Sequence, residues 1–285
     1  MIIFMGIENC PYEKAKAVII PFGYEHTTTY LKGTSGGPRA ILEASAQLEL
    51  YDIETDSQPY LNGIHTMETT ADNSIPPENA VKLVEEIISR IVMDNKFPVL
   101  LGGEHTITIG AVSAVKKKFP DLSVLQIDAH ADLRDQYEGS RYSHACVMKR
   151  VSEIVPFAGV GIRSVGPEEL DDYHRFRAQG RIITSGGFKK LDDYQGVVDI
   201  LGDNVYITVD VDGLDPSVMP GVGTPEPDGL TFSGVMNLIN AVAETKKIVG
   251  FDMVELRPLK DEARSEFTAA KMIYKTLAYI FRING

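Results

Sequence analysis

Six side chains that could bind a divalent metal stand at the ends of apolar runs in the sequence: His105, Asp128, His130, Asp132, Asp210 and Asp212. Asp128, His130 and Asp132 are spaced two residues apart, so an extended backbone would point all three to one side. Taken singly, a histidine is more often a hydrogen-bonded structural group, and an Asp-x-Asp pair is more often a turn or a helix cap. Taken together, these groups would repel or stay poorly solvated without a cation. The set therefore indicates a metal centre.

The ligand types narrow the choice of metal. Six ligands are more than one tetrahedral zinc ion requires, and a predominance of carboxylates favours a hard or borderline cation. Because aspartates can bridge two ions, we predict a pair of Mn²⁺ ions, while the ligand chemistry leaves iron, cobalt and nickel open. Such a pair would lie about 3.5–4 Å apart and lower the pKa of a bridging water enough to supply hydroxide near neutral pH.

Short β-branched runs alternate along the chain with longer segments of helical periodicity. The predicted strands are Val18–Pro21, Leu48–Ile53, Pro98–Leu101, Ser123–Asp128, Phe157–Ile162, Arg181–Thr184, Asn204–Asp210 and Ile248–Val254. The predicted helices are Pro38–Gln47, Glu78–Met93, Thr106–Phe119, Pro167–Gln179, Leu191–Leu201, Ser233–Glu244 and Glu266–Arg282. The pattern predicts an α/β fold, a three-layer αβα sandwich with a central, mostly parallel sheet of about eight strands. Ligands bind beyond the carboxyl ends of the strands in such a sheet, and the six candidate ligands stand there.

Composition limits the class of protein. The chain has 285 residues, 44% hydrophobic and 24% charged, and no linker-like stretch divides it, so we expect a single domain over residues 1–285. The net charge of −12 argues against nucleic acid or an anionic membrane as a partner, because both require clustered Lys and Arg. Cys10 and Cys146 form no disulfide framework, and no apolar run reaches the roughly 18 residues of a membrane span. We expect a cytoplasmic protein.

Several blocks of the sequence resemble the ureohydrolase family, which includes arginases and agmatinases. The blocks are Gly102-Gly103-Glu104-His105, Asp128-Ala129-His130-Ala131-Asp132, Ser143-His144, Asp210-Val211-Asp212-Gly213-Leu214-Asp215-Pro216 and Pro220-Gly221-Val222-Gly223-Thr224-Pro225. Gly33–Pro38 near the start and Glu255–Pro258 near the end also fit, so the resemblance spans most of the chain. As a combined signature these blocks are highly specific.

The resemblance implies two Mn²⁺ ions per subunit, one of them bound or bridged by His105, Asp128, Asp132 and Asp210. It implies that His130 and Asp212, with the bridging carboxylates, serve the other ion, that His144 shuttles protons and that Glu255 holds a guanidinium group. A carboxylate is the natural bidentate partner of a guanidinium, and an imidazole can donate a proton to a departing amine at neutral pH. The implied reaction is attack by a metal-bridging hydroxide with release of urea and an amine, in a homotrimer or homohexamer.

The loop that follows the Asp-x-His-x-Asp motif resembles that of agmatinases and lacks the Ser- and Asn-rich stretch of arginases. This favours agmatine as the substrate, with putrescine and urea as products. Asp135 and Glu138 in this loop could favour a second positive charge, whereas Arg134 and Arg141 could receive a carboxylate. Arginase, guanidinobutyrase and formimidoylglutamase activities therefore stay open, as does a metal-binding relative that has lost hydrolysis.

Overall fold

A single sheet runs through the computed structural model, which describes residues 1–68, 71–190 and 194–283. Its eight strands are β1 Ala17–Phe22, β2 Ile64–Thr66, β3 Phe97–Gly102, β4 Leu122–Ile127, β5 Phe157–Ile162, β6 Ile182–Thr184, β7 Asn204–Asp210 and β8 Lys247–Val254. They are ordered β2-β1-β3-β8-β7-β4-β5-β6, and every neighbouring pair is parallel. The predicted fold class is confirmed, with a sheet that is parallel throughout.

Helices cover both faces of the sheet. They are α1 Gly37–Ser45, α2 Pro77–Met93, α3 Thr108–Lys118, α4 Val147–Ser152, α5 Leu170–Ala178, α6 Ser185–Phe188, α7 Gln195–Val198, α8 Phe232–Thr245 and α9 Arg264–Ile283. The buried apolar side chains form two clusters, one beneath α1, α8 and α9 and the other beneath α2, α3 and α4. The molecule therefore has three layers, and the sheet between them is buried on both faces.

The sequence explains why these elements form. Helix α2 begins with Pro77, whose fixed φ suits the first turn, and it buries Val81, Val84 and Ile88 at spacings of three and four while Lys82 stays exposed. Each such aliphatic side chain contributes about 1.5–3 kcal/mol when it is buried. All six residues of β4 are buried, as expected of a parallel strand covered on both faces.

The predicted strand Leu48–Ile53 is wrong. The segment forms turns and bends, and the edge strand of the sheet is Ile64–Thr66, which pairs with β1. Asp52 explains the error, because its buried carboxylate accepts hydrogen bonds from the backbone N–H and the hydroxyl of Thr55, both at 2.9 Å. A side chain that bonds the backbone three residues on stabilises a turn in place of a strand.

The other predicted elements lie near their predicted positions, whereas the short helices α4 and α6 were not predicted. The start of the predicted helix Leu191–Leu201 lies outside the described residues, and the described helix there is only Gln195–Val198. In the predicted helix Pro167–Gln179, the first turn is a 3₁₀ turn that precedes α5. In the part of the chain that the structure describes, no helix has both the length and the apolar character needed to cross a membrane. The single domain over residues 1–285 stays a prediction.

Candidate metal centre and substrate cavity

The predicted site residues meet at the carboxyl ends of four adjacent strands, β3, β8, β7 and β4. Beside them is a cavity of about 220 Å³. The predicted residues that line it are His130, Asp132, His144, Asp210, Asp212 and Glu255. His105 and Asp128 are almost completely buried beneath them. The sheet therefore brings all eight residues together, from segments that are far apart in the sequence.

The turn after β3 is built around Gly103, which lets the backbone of a neighbouring segment approach closely. A Cβ atom at Gly103 would lie 2.1 Å from the carbonyl oxygen of Tyr24, so only glycine fits. The backbone N–H of Glu255 donates to the carbonyl of Gly103 at 2.7 Å, and the N–H of His105 donates to Oε1 of Glu255, also at 2.7 Å. These contacts fix the ends of β3 and β8 against each other.

One candidate metal-binding group consists of His105, Asp128 and Asp132. Nδ1 of His105 lies 3.1 Å from a carboxylate oxygen of Asp132, 3.4 Å from one of Asp128 and 3.5 Å from one of Asp210. Within the described residues, this buried nitrogen makes no hydrogen bond. An imidazole nitrogen among three buried carboxylates suits a divalent cation, so these residues fit the metal that the sequence predicts.

A second candidate group consists of Asp128, His130 and Asp212. Nδ1 of His130 lies 3.0 Å from Asp212 Oδ2, and the hydroxyl of Thr224 donates to the same oxygen at 3.1 Å. Asp128 belongs to both groups, as expected of a carboxylate that bridges two ions. The shared Asp128 therefore places the two candidate sites next to each other.

Asp210 lies beside these groups and belongs to neither of them as they stand. Its Oδ1 accepts a hydrogen bond from the N–H of Asp212 at 3.0 Å, while its Oδ2 faces His105. Asp210 Oδ2 therefore lies 3.5 Å from Nδ1 of His105, close to the 3.4 Å of the Asp128 oxygen in the first group.

Electrostatic repulsion dominates the cluster without a cation. Burial and the charge of Asp132 raise the pKa of Asp128 to about 7. Burial and the charge of Asp212 raise the pKa of Asp210 well above its ordinary value. Burial lowers the pKa of His130, but the charge and hydrogen bond of Asp212 outweigh burial and raise it to about 10. These shifts let Asp128 and Asp210 keep protons at higher pH than usual, whereas for Asp212 the charge and hydrogen bond of His130 outweigh burial and lower the pKa. A metal ion would bring positive charge to the same carboxylates.

His144 and Glu255 lie side by side at the cavity, with Nδ1 of His144 3.6 Å from Oε1 of Glu255. As far as the chain is described, the buried Nε2 of His144 has no hydrogen-bond partner. Glu255 is 7% exposed and has a φ of 63°, a left-handed conformation that is uncommon outside glycine. Such strain is typical of functional positions. Because His144 and Glu255 both line the cavity, both can contact a substrate there.

Glu104 has a structural role that its place in the motif did not reveal. Its buried carboxylate accepts hydrogen bonds from the N–H groups of His26 and Thr27, both at 2.6 Å, and from the hydroxyl of Thr27 at 2.9 Å. That hydroxyl in turn accepts the N–H of His144 at 2.9 Å. Glu104 thus connects the turn after β3 to the cavity wall and to His144.

Arg163 was also missed by sequence reasoning. Its guanidinium donates to the carbonyl oxygens of Asp212 at 2.7 Å, Glu226 at 2.8 Å and Gly213 at 3.1 Å. These bonds hold the loop after β7 beneath the second metal-binding group. The signal available in the sequence was a lone arginine directly after the apolar strand β5.

The cavity wall carries an ion pair. Arg134 lies over the ring of Tyr137, 4.8 Å from its centroid, and its Nη1 lies 3.1 Å from Oε1 of Glu169. Glu169 is 2% exposed and also accepts the N–H groups of Leu133 and Gly166, each at 3.0 Å. The positive charge of Arg134 is therefore matched by a fixed negative charge.

The remaining charged residues of this loop lie away from the cavity. Among the described residues, the lining includes Arg134 but not Asp135, Glu138 or Arg141. Asp135 pairs instead with Arg141 and Arg150. The described lining of the cavity therefore does not support two interactions that the sequence left open. These are recognition of an ammonium by Asp135 or Glu138 and recognition of a carboxylate by Arg141.

Comparison with known proteins decides the family. The sequence matches the Arginase family over residues 15–278. The chain belongs to the arginase family. The predicted resemblance to ureohydrolases is thereby confirmed, and in this arginase-family protein the matched region contains every candidate site residue.

Individual relatives cover nearly the whole chain. The N(1)-aminopropylagmatine ureohydrolase of Synechocystis is 40% identical over 94% of this chain and 90% of its own length. The agmatine ureohydrolase structure of Thermoplasma volcanium is 35% identical with a TM-score of 0.85, covering 95% of this chain and 92% of that one. A Trypanosoma cruzi formiminoglutamase solved with Mn²⁺ is 22% identical with a TM-score of 0.85, covering 98% and 97%, and shows the same fold.

We expect Mn²⁺ to raise the midpoint of thermal unfolding more at about pH 7.5 than at about pH 5.5, because metal binding displaces protons. A carboxylate whose folded pKa is raised keeps its proton at acidic pH, and Asp128, with a pKa of about 7, ionises between these two conditions. Fluorimetric thermal unfolding with and without Mn²⁺ measures the shift. Asp128→Asn should abolish most of it, whereas Asp203→Asn, at a carboxylate that is 91% exposed, should not. A shift of equal size at both pH values would contradict the account.

Proposed function

We propose that the protein is a metal-dependent ureohydrolase that cleaves the guanidino group of an agmatine-type substrate, with two Mn²⁺ ions as cofactor. The observation that carries the proposal is the pair of metal-binding groups that share Asp128 beside His144 and Glu255. Carboxylate-rich ligands favour a cation such as Mn²⁺, and the Trypanosoma cruzi relative was solved with that metal.

Glu255 and His144 have complementary roles in this proposal. The carboxylate of Glu255 binds the planar guanidinium and holds its carbon beside the metal-binding groups. The metal ions, when bound, activate water as a nucleophile at neutral pH. Water adds to the guanidino carbon, the bond from that carbon to the substituted nitrogen breaks, and urea and an amine are released.

His144 supplies the proton that the departing amine needs. Burial lowers the pKa of His144, but the neighbouring carboxylate of Glu255 raises it above the ordinary value, which favours the imidazolium. His144 lines the cavity, and within the described residues its Nε2 has no hydrogen-bond partner, so this nitrogen is proposed to donate the proton to the departing amine. Glu104 and Thr27 hold the backbone of His144 in this position.

The cavity favours substrates whose chain ends in an amine over those that end in a carboxylate. Arginine, 4-guanidinobutyrate and formimidoylglutamate all carry a carboxylate, and Arg134 is the arginine of the described lining that could receive it. Glu169 already neutralises Arg134. The substrate is therefore proposed to be N(1)-aminopropylagmatine, as named for the 40% identical Synechocystis relative, or agmatine, as named for the 35% identical Thermoplasma relative.

Product release from matched concentrations of N(1)-aminopropylagmatine, agmatine, arginine, 4-guanidinobutyrate and formimidoylglutamate tests the proposal. The product measured is urea for the first four compounds and formamide for formimidoylglutamate. We expect kcat/KM for one of the first two to exceed that for every carboxylate-bearing compound by at least about tenfold, because a single mismatched polar group has effects of that size. Protein stripped by a chelator should be inactive and recover with Mn²⁺. A preference for a carboxylate substrate would overturn the specificity, and no hydrolysis product from any of the five compounds would favour a metal-binding relative without hydrolysis.

Replacing Glu169 should change the preference between these classes. In Glu169→Gln, Arg134 loses its buried anion and can pair with a substrate carboxylate, so the kcat/KM ratio of 4-guanidinobutyrate to agmatine should rise roughly tenfold, as expected for about 1.4 kcal/mol. The matched control is Glu168→Gln, at a neighbouring carboxylate that is 69% exposed and 3.6 Å from Arg134. An unchanged ratio in a folded Glu169→Gln protein would show that the ion pair does not set specificity.

A further inference from the structure

Asp252 is a completely buried carboxylate on β8 that the proposed chemistry does not use. It accepts three hydrogen bonds from hydroxyl groups. Thr208 donates to Oδ1 at 2.7 Å, whereas Tyr206 and Thr108 each donate to Oδ2 at 2.9 Å. Burying a carboxylate without an oppositely charged partner is energetically unfavourable. Its placement within a sheet of apolar strands therefore calls for an explanation beyond packing.

The hydrogen bond from Thr208 to Asp252 constrains which ring nitrogen of His105 carries hydrogen. Thr208 has a single hydroxyl proton, and it is donated to Asp252. The hydroxyl oxygen lies 2.8 Å from Nε2 of His105, so it can only accept a proton there. Nε2 of His105 must therefore carry hydrogen, which in a neutral imidazole leaves Nδ1 as a lone pair.

That lone pair faces the first metal-binding group, where Nδ1 lies 3.1 Å from the nearest oxygen of Asp132. We infer that Asp252 and Thr208 are positioning residues that set the tautomer of His105, so that Nδ1 is ready to bind a cation. The inference rests on the proposed metal centre. A ligating histidine commonly donates its other N–H to an acceptor that fixes its ring and tautomer, and here a hydroxyl transmits the effect of a carboxylate.

The sheet fixes this chain of hydrogen bonds rigidly. Thr208 and Asp252 are paired residues of the parallel strands β7 and β8. Thr208 is completely buried, and it lies two residues before Asp210, so both side chains belong to the same face of β7. The same strand therefore carries a carboxylate of the site and the hydroxyl that orients its histidine.

Substitution of Asp252 should reverse this order of donors. In Asp252→Asn, an amide that keeps its oxygen toward Tyr206 and Thr108 turns its NH₂ group toward Thr208. Thr208 then accepts from the amide and donates its own proton to Nε2 of His105, which moves the imidazole hydrogen to Nδ1. Thr208→Val removes the acceptor altogether, whereas Thr208→Ser keeps it.

The test is Mn²⁺ binding to the metal-free full-length protein, measured by calorimetry and by the electron paramagnetic resonance of free Mn²⁺. We expect Asp252→Asn and Thr208→Val to weaken one of two binding events by about 10–100-fold, the range seen when an outer partner of a ligand is lost. Thr208→Ser should bind within about threefold of the wild type. Thr108→Val is the matched control, since it removes a hydroxyl that donates to Asp252 and not to the imidazole of His105. This hydroxyl lies 3.5 Å from that of Thr208, and the variant should also bind normally.

Circular dichroism of each metal-free variant separates binding from folding. Wild-type affinity in folded Thr208→Val would overturn the inference, as would equal weakening by Thr108→Val and Thr208→Val, because that would show a general packing effect. If Asp252→Asn does not fold, the Thr208→Val and Thr208→Ser pair decides. Failure of the wild type to bind Mn²⁺ would overturn the metal centre and the inference together, whereas normal wild-type binding with unaffected variants would overturn the inference alone.

Discussion

The burial of several carboxylates at one edge of the sheet is the constraint on which the site depends. Asp128, Asp210 and Asp212 are each at most 4% exposed and lie around two imidazoles. Burial and mutual repulsion raise the pKa values of Asp128 and Asp210, whereas for Asp212 the charge of His130 outweighs burial and lowers the pKa. Two divalent ions would offset the repulsion among these carboxylates. The fold therefore places buried negative charge where metal ions would stabilise it, and the proposed chemistry depends on this arrangement.

The strand order makes this concentration of charge possible. The four adjacent strands β3, β8, β7 and β4 each end at the site, so residues from four parts of the chain converge there, and the loop after β4 also carries His144 to the cavity. Apolar layers on both faces hold the strands in register. Around the ligands, buried acids have separate roles: Glu104 fixes the cavity wall, Glu169 neutralises Arg134, and Asp252 orients a histidine through Thr208.

The sequence was sufficient for the fold class, and it predicted the six candidate ligands because they follow apolar strands, with Asp128, His130 and Asp132 at a spacing of two. His144 and Glu255 were predicted from the resemblance to ureohydrolases. The sequence did not reveal the roles of Asp252 and Glu169. Their partners Thr208 and Arg134 lie 44 and 35 residues away in the chain, and the contacts become apparent only when strands and loops are packed. The wrong strand at Leu48–Ile53 has a local cause, since the apolar alternation there competes with the turn that Asp52 stabilises.

Anomalous diffraction at the manganese edge, from crystals of the protein grown with Mn²⁺, would show directly whether the site binds a pair of ions. Two peaks per subunit are expected. One should lie among His105, Asp128 and Asp132 with Asp210 drawn toward it, and the other among Asp128, His130 and Asp212, with the two peaks about 3.5–4 Å apart. A single peak, or two peaks that do not share Asp128, would contradict the proposed pair of metal sites.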